Sequence, residues 1–478
     1  MNDPKGCNCP GPRYLTAFGR RSFIQVGMLS GLGLSLPQLF RASASTVLPS
    51  TGGVKRTEGP AKSVIQIILP GGLAHQESWD PKPEAPIEYR GPLGVIKTKI
   101  PGIVFSENLS HTAQVADKIT VVRSITGRIP DHGQATYQMF TGYLPTPAIL
   151  HPSVGAVVSN QFGPRNNLPA YVGVPNVPLA GGTGYMSSKF GAFELGADPG
   201  QKNFQVRDIS LPKGITNERF ERRRSAREAL EDHFREIESN PTELDAMGEF
   251  YQLAYKLISS PQARQAFSLD GEPEAMTQLY GEYKNLPIGR QLMLARRLVE
   301  AGVRLVTVMY GGWDNHQRIK EAINDGLPAF DHAFAGLITD LDQRRLLDST
   351  LVMVTSEFGR TPKVNENAGR DHWARVYSYA LAGGGVRRGQ IYGASNATAS
   401  EPDPLCANMS ETLYVTTISE QGGKEKTRHG NDKRFCSARG IGSGRIGFTG
   451  EHSGRAHRSA PESGGGGSRE TAQVHRRV

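Results

Sequence analysis

The chain has 478 residues, enough for one large α/β domain with insertions or for two ordinary domains, and a formal net charge of +9. That charge sits at the ends: residues 1–44 carry +4, residues 401–478 carry +3, and only +2 is left for residues 45–400. A nearly neutral centre with no aromatic-interleaved basic patch and no zinc-finger spacing excludes a nucleic-acid-binding reading, and the four cysteines, Cys7, Cys9, Cys406 and Cys436, are too peripheral to staple the core.

At the start, Arg20-Arg21-Ser22-Phe23-Ile24 is followed by a moderately apolar stretch at 26–39 and by Ala42-Ser43-Ala44. This order of charge, apolar segment and small residues is that of a twin-arginine export signal with an A-x-A cleavage site. Residues 1–44 therefore read as a signal peptide and residues 45–62 as a linker, with the periplasm or the extracellular space as destination. No other stretch has the eighteen or so consecutive apolar residues of a membrane span, so none is expected in the mature chain.

The first strand is predicted at residues 64–69, VIQIIL, and it opens through Pro70, Gly71 and Gly72 into His75, Glu77, Ser78 and Asp80. Prolines 81, 83, 86 and 92 keep the next segment irregular. A second strand at 119–124 leads to Asp131 and His132 and then to a helix at 134–139; a short helix at 153–161 and an edge strand at 171–174 follow. Residues 181–200 are glycine-rich and read as loop. From 216 to 285 the patterning turns helical, with a charged helix at 216–237 and proline-started helices at 241–258 and 261–267, and this insertion is expected to cap the sheet edge.

Two helix-to-strand units come next. A helix at 288–301 feeds the strand 305–310, which ends in Gly311, Gly312, Trp313, Asp314, Asn315 and His316; a helix at 330–346 feeds the strand 351–354, which ends in Ser356, Glu357 and Arg360, with Arg370, Asp371 and His372 beyond. Repeated helix–strand units predict an α/β domain with a doubly wound, mostly parallel sheet and helices on both faces. A last strand at 377–382 ends in Gly383-Gly384-Gly385, read as a tight turn. After residue 394 no apolar period is sustained, so residues 395–478 read as a disordered or non-family tail.

Ligands of open α/β sheets sit beyond the carboxyl ends of the strands. Four strand-like runs here open into His and carboxylate clusters, the residue types that bind divalent metal. The expected metal set is His75, Glu77, His132, Asp314, His316, Glu357, Asp371 and His372. Asp314 and His316 are the best pair, because two residues apart in an extended segment they face the same side. His372 follows, with Asp371 either a ligand or the acceptor that orients an imidazole. Zinc, manganese and iron all suit such nitrogen and oxygen donors. Ser78 is the nearest hydroxyl to the first strand and the candidate nucleophile, while Arg360 and Arg370 suit a sulfate or phosphate oxyanion through their planar forks.

LPGGLAHQESWDPKP, RGPLG, VVRSITG with DHGQATYQMFTG, GGWDNH, SEFGRTP, GRDHW and LAGGGVRRGQIYG together resemble a large family of exported bacterial proteins, domain of unknown function 1501. That family is similar in fold to the alkaline phosphatase and sulfatase superfamily. The resemblance implies an alkaline-phosphatase-like domain over residues 63–394 and metal-dependent hydrolysis of a small anionic ester or a sulfated or phosphorylated polymer. The sequence also departs from the pattern: Pro70, Gly71 and Gly72 replace the superfamily's aspartate after the first strand, its late Asp-His pair reads Glu357-Phe358, and the family's aspartate in the first motif is Glu77. These departures leave a second expectation open, a non-catalytic binding or scaffold protein of the same fold.

Overall fold

The structure is a computed structural model that describes residues 60–201, 204–206, 214–237, 251–252, 254–283, 285–404 and 409–410. The export signal, the linker before residue 60 and the tail past residue 410 lie outside the described residues. In chain order the strands are β1 (Ser63–Ile68), a hairpin of β2 (Val95–Lys97) and β3 (Val104–Ser106), β4 (Ile119–Thr126), β5 (Tyr171–Val174), β6 (Phe193–Glu194), β7 (Leu305–Met309), β8 (Thr350–Thr355), a ribbon of β9 (Gly359–Arg360) and β10 (His372–Trp373), then β11 (Tyr377–Ala382), β12 (Gln390–Tyr392) and β13 (Met409–Ser410). Nine of them form one sheet in the order β12-β4-β11-β8-β1-β7-β5-β6, with β13 beside β4.

β8, β1, β7, β5 and β6 run parallel to one another. β11 runs antiparallel to both β8 and β4, which gives β4 the same direction as β1, β7 and β8. The carboxyl ends of those four strands therefore share one edge of the sheet, and the loops that leave them carry the His and carboxylate residues.

Alternation along the strands selects two cores. Ile65, Ile67, Val306, Val308, Val352 and Val354 pack with Leu292, Leu298, Phe334 and Leu337 from the helices Ile288–Ala301 and Ile319–Gln343. On the other face Ile68 meets Met139 and Phe140 of the helix His132–Thr141, and Leu305 meets Val158 of the helix Val154–Phe162. Helices thus cover both faces, and each fully buried aliphatic or aromatic side chain contributes roughly 1.5–3 kcal/mol.

Two expectations need correcting, the edge strand and the limit at residue 394. Tyr171–Val174 is not the edge, because the two-residue β6, inside the segment read as loop, pairs outside it. The run 377–382 is antiparallel, so Gly383, against the carbonyls of Leu347 and Thr350, turns at the edge opposite the loops of interest. The insertion is described in part. Its helices Pro261–Phe267 and Glu274–Tyr280 join the helical layer, burying Ala263, Ala266, Phe267 and Tyr280 in the main core. Order also passes residue 394: the segment 395–403 is held by Ser395 on Asp80, by the Ala399 carbonyl on His75 Nε2 (3.0 Å) and by the Trp373 indole on the Ser400 carbonyl (2.8 Å). These anchors are polar, which is why no apolar period marks the segment.

Candidate metal centre

The loop after β4 delivers the first imidazole. Asp131 caps the helix that starts at His132, its Oδ1 accepting from the Gln134 amide at 3.0 Å, and this fixes where the histidine leaves the chain. The loop after β7 supplies Asp314 and His316, and the ribbon after β8 supplies His372. Two glycines permit the close approach. A Cβ on Gly71, at φ +108°, would lie 2.5 Å from the Asp314 amide nitrogen, and one on Gly369 would lie 2.0 Å from the His316 carbonyl carbon.

These loops gather four donor atoms. Around Asp314 Oδ1 stand His316 Nε2 at 3.0 Å, His372 Nε2 at 3.2 Å and His132 Nε2 at 3.3 Å, and His316 Nε2 lies 3.1 Å from His372 Nε2. Donors bound to one ion at about 2.0–2.1 Å sit about 2.8–3.0 Å apart at octahedral angles and about 3.3–3.4 Å apart at tetrahedral ones. The group whose ligand atoms all lie within 4.8 Å of one another is His132, Asp314 and His372; His316 adjoins it through Asp314 and His372.

Each imidazole is held from behind through its other nitrogen. His132 Nδ1 lies 2.7 Å from Glu357 Oε1, His316 Nδ1 lies 2.7 Å from Asp371 Oδ1, and His372 Nδ1 lies 2.9 Å from the Pro130 carbonyl. Acceptors at all three Nδ1 positions favour the tautomer whose Nε2 lone pair faces inward, the usual support of metal-binding histidines. His132 Nε2 then has no hydrogen-bond partner and faces a carboxylate oxygen. Two acceptors facing each other call for a cation between them, a proton or a metal. The hydrogen bond to Glu357 is the main cause raising the His132 pKa, with burial opposing it and the Glu357 and Asp314 charges adding to it. Partial burial works to raise the Asp314 pKa, but the hydrogen bond from Arg360, the contact with His372 and the charges of Arg360 and His132 hold it well below the ordinary carboxylate value.

Phe358, fully buried, forms one wall, its ring 4.9 Å from that of His132 and 4.7 Å from that of His372. The opposite side is open: the Asp314 side chain is 50 % exposed. Glu357 itself stays outside the ring of donors, buried and also accepting from the Gly71 amide at 2.7 Å. Asp371 is likewise a support, clamped by Asn365 as well as by His316.

The remaining sequence candidates go elsewhere. Glu77 is buried against Arg370, whose Nε lies 3.0 Å from both carboxylate oxygens and whose Nη2 lies 2.7 Å from one of them. His75 is buried beside Ala399, and burial brings its pKa down to about 4. The Ser78 hydroxyl is fully buried and donates to the Ala74 carbonyl at 2.7 Å. Arg370 and Arg360 are both buried; Arg360 donates to the carbonyls of Gly71, Gly72 and Arg370 and, through Nη2, to Asp314. Neither guanidinium is free for a ligand. The sequence reading missed Phe358, the Pro130 carbonyl and Asn365. The first lay inside the SEFGRTP motif, but nothing in residue type marked the other two.

A family model described as "Protein of unknown function (DUF1501)" matches residues 61–421. The chain belongs to the DUF1501 family. The match to DUF1501 runs past residue 394, the limit drawn from the sequence. Among solved structures the chain is similar to Ps i-CgsB in complex with k-i-k-neocarrahexaose, at 12% identity over 77% of this chain and 73% of that chain with a TM-score of 0.35. It is similar to the PsFucS1 sulfatase from Pseudoalteromonas sp., at 13% identity over 77% and 68% with a TM-score of 0.34. It is also similar to alkaline phosphatase from the Antarctic bacterium TAB5, at 11% identity over 76% and 99% with a TM-score of 0.32. No curated protein matches this DUF1501 chain. Among the described residues no helix is long and apolar enough to cross a membrane.

Proposed function

We propose that the chain is a metal-dependent hydrolase of phosphate or sulfate esters, exported by the twin-arginine route. One observation carries the reading: three imidazole Nε2 atoms surround Asp314 Oδ1 at 3.0–3.3 Å while every Nδ1 is taken by an acceptor. His132, Asp314, His316 and His372 would hold one ion of zinc, iron or manganese, since imidazole-rich sets suit these better than magnesium or calcium. When bound, such an ion polarises an ester oxygen and lowers the pKa of water.

The protein's own groups do the rest. Glu357, Asp371 and the Pro130 carbonyl hold the three imidazoles with Nε2 aimed inward, and Phe358 keeps water from one side. The exposed flank of Asp314 leaves room for an ester to approach. With Ser78 buried and bonded to its own backbone, water is the nucleophile this site provides for. A second reading, a binding protein without turnover, is favoured by Gly71: the Asp314 backbone fills the place of its side chain, so β1 contributes no donor to the cluster.

The test measures metal content and hydrolysis of aryl phosphates and aryl sulfates by the full chain and by the double variant Asp314→Ala/His372→Ala. We expect one equivalent of metal and metal-dependent turnover in the wild type, and neither in the variant. Stoichiometric metal with no turnover on either ester class would support the binding reading, and absence of metal from wild type supplied with zinc, iron or manganese would sink both.

A further inference from the structure

We propose that a groove beside the metal centre binds one unit of an anionic carbohydrate, next to the unit whose ester is cleaved; the second half of this statement rests on the hydrolase reading, the first does not. The groove encloses about 460 Å³, and its lining includes Tyr89, Lys363, Asn365, Trp373, Thr398 and Ser400. Clefts for small ligands typically run about 300–1,000 Å³. Asp371, which holds His316, also lines it, and Asn365 bridges the two places, its Nδ2 lying 3.0 Å from the His316 carbonyl and 3.3 Å from Asp371 Oδ1. A molecule in the groove thus lies against the residues that support the centre.

The lining chemistry selects the ligand. Trp373 is half-buried and already fixed: its indole donates to the Ser400 carbonyl at 2.8 Å, its backbone pairs with Gly359, and the Arg375 guanidinium sits 5.3 Å from the ring centroid. A rigid ring of this kind offers flat apolar surface at little entropic cost on binding. Beside it the Thr398 and Ser400 hydroxyls lie 3.1 Å apart, both bonded to Asn396, and can exchange those bonds for ligand hydroxyls. Flat aromatic surface next to hydroxyls suits a ring with one apolar face and a hydroxylated rim.

Charge narrows the class further. Lys363 is exposed and its ammonium has no partner among the described residues, whereas Arg360 and Arg370 are buried and fully engaged. Lys363 is therefore the cation left to meet a tetrahedral oxyanion, a sulfate or a phosphate carried by the neighbouring unit. An uncharged chain would leave that ammonium unanswered.

The experiment measures equilibrium binding of a sulfated disaccharide, its phosphorylated counterpart, the neutral parent, inorganic sulfate and an acidic peptide. The proteins are the wild-type full chain, Asp314→Ala, Lys363→Glu, Lys363→Met and Tyr89→Ala, with thermal melts confirming that each is folded. We expect wild type to bind the neutral parent at least about tenfold more weakly than the anionic disaccharides, Asp314→Ala to keep that preference whatever its absolute affinity, both Lys363 variants to erase it, and Tyr89→Ala to weaken all three sugars. Equal affinity for neutral and anionic sugars, or unchanged binding in both Lys363 variants, overturns the proposal. So does inorganic sulfate or the peptide binding as tightly as the sulfated disaccharide. If sugar binding follows this pattern while no ester is hydrolysed, the groove stands and the hydrolase reading falls.

Discussion

Of the four residues around the candidate centre Glu357 is bonded to His132, and that contact decides how His132 presents its Nε2. Replacing Glu357 with alanine should lower metal affinity by about 10–100-fold, the usual effect of removing an outer acceptor, while one equivalent still binds at saturation; Glu357→Gln, which keeps an oxygen at that place, should recover most of the loss. Competition with a chelator of known affinity reads both. Glu77 shows the opposite behaviour. It is buried with Arg370, and burial pushes its carboxyl above the ordinary value even though Arg370 works against the shift. Glu77→Ala leaves a guanidinium buried without its counter-charge and should cost about 3–5 kcal/mol in urea unfolding, with metal content of the folded fraction unchanged. Asp314→Ala should cost less, because the Asp314 side chain is half exposed and water can reach the Arg360 pair, whereas Glu77 and Arg370 are both buried. A Glu77→Ala protein of normal stability that had lost its metal would return Glu77 to the ligand set.

At the scale of elements, Asp80 ties the segment 395–403 to the sheet edge through Ser395, and Lys82 and Arg123 approach it at 3.0 and 3.3 Å. Burial opposes ionisation there, but Arg123, Lys82 and the Ser395 hydroxyl together hold its carboxyl below the ordinary value. A depressed carboxylate pKa adds stability that is present above the unfolded value near 3.9 and lost as pH falls through the folded one. Asp80→Asn should therefore be less stable than wild type at pH 7, and its unfolding free energy should fall less steeply below about pH 4. Parallel acid profiles for the two proteins would disprove the linkage.

The same scale shows what the sequence could disclose. β1, β4, β7 and β8 were legible because buried strands need continuous apolar runs and their loops need polar groups. β6 and β13, two residues each, have no period to find. The direction of β11 was also hidden, since an apolar run looks alike read either way. At the site, residue type and position after a strand were enough to pick out His132, Asp314, His316 and His372. The division into inner donors and outer supports was legible only as an open alternative at Asp371, and not at Glu357. His75 and Glu77 share the two-residue spacing of Asp314 and His316, but residues 75–80 fold as turns and bend, so the spacing no longer sets both side chains on one side.

For the whole molecule, the proposed ligands link the loops of β4 and β7 to the β10 ribbon, so a bound metal should stabilise the fold rather than one loop. At a free ion concentration one hundred times Kd the unfolding free energy should rise by about 2.7 kcal/mol, seen as a higher Tm for the wild type and no change for His132→Ala. A rise of equal size in that variant would place the ion elsewhere. The arrangement of β11 carries this further. Only a few residues separate His372 and Trp373 from Tyr377, where the chain turns back through the sheet between β8 and β4. The pairing of β11 with β4, which brings the His372 ribbon beside the loop of His132, joins distant parts of the chain and is of the kind that forms slowly. If the centre binds an ion as proposed, a half-assembled chain would offer it only the Asp314 and His316 pair, and the ion content of a preparation would count the molecules that have finished folding.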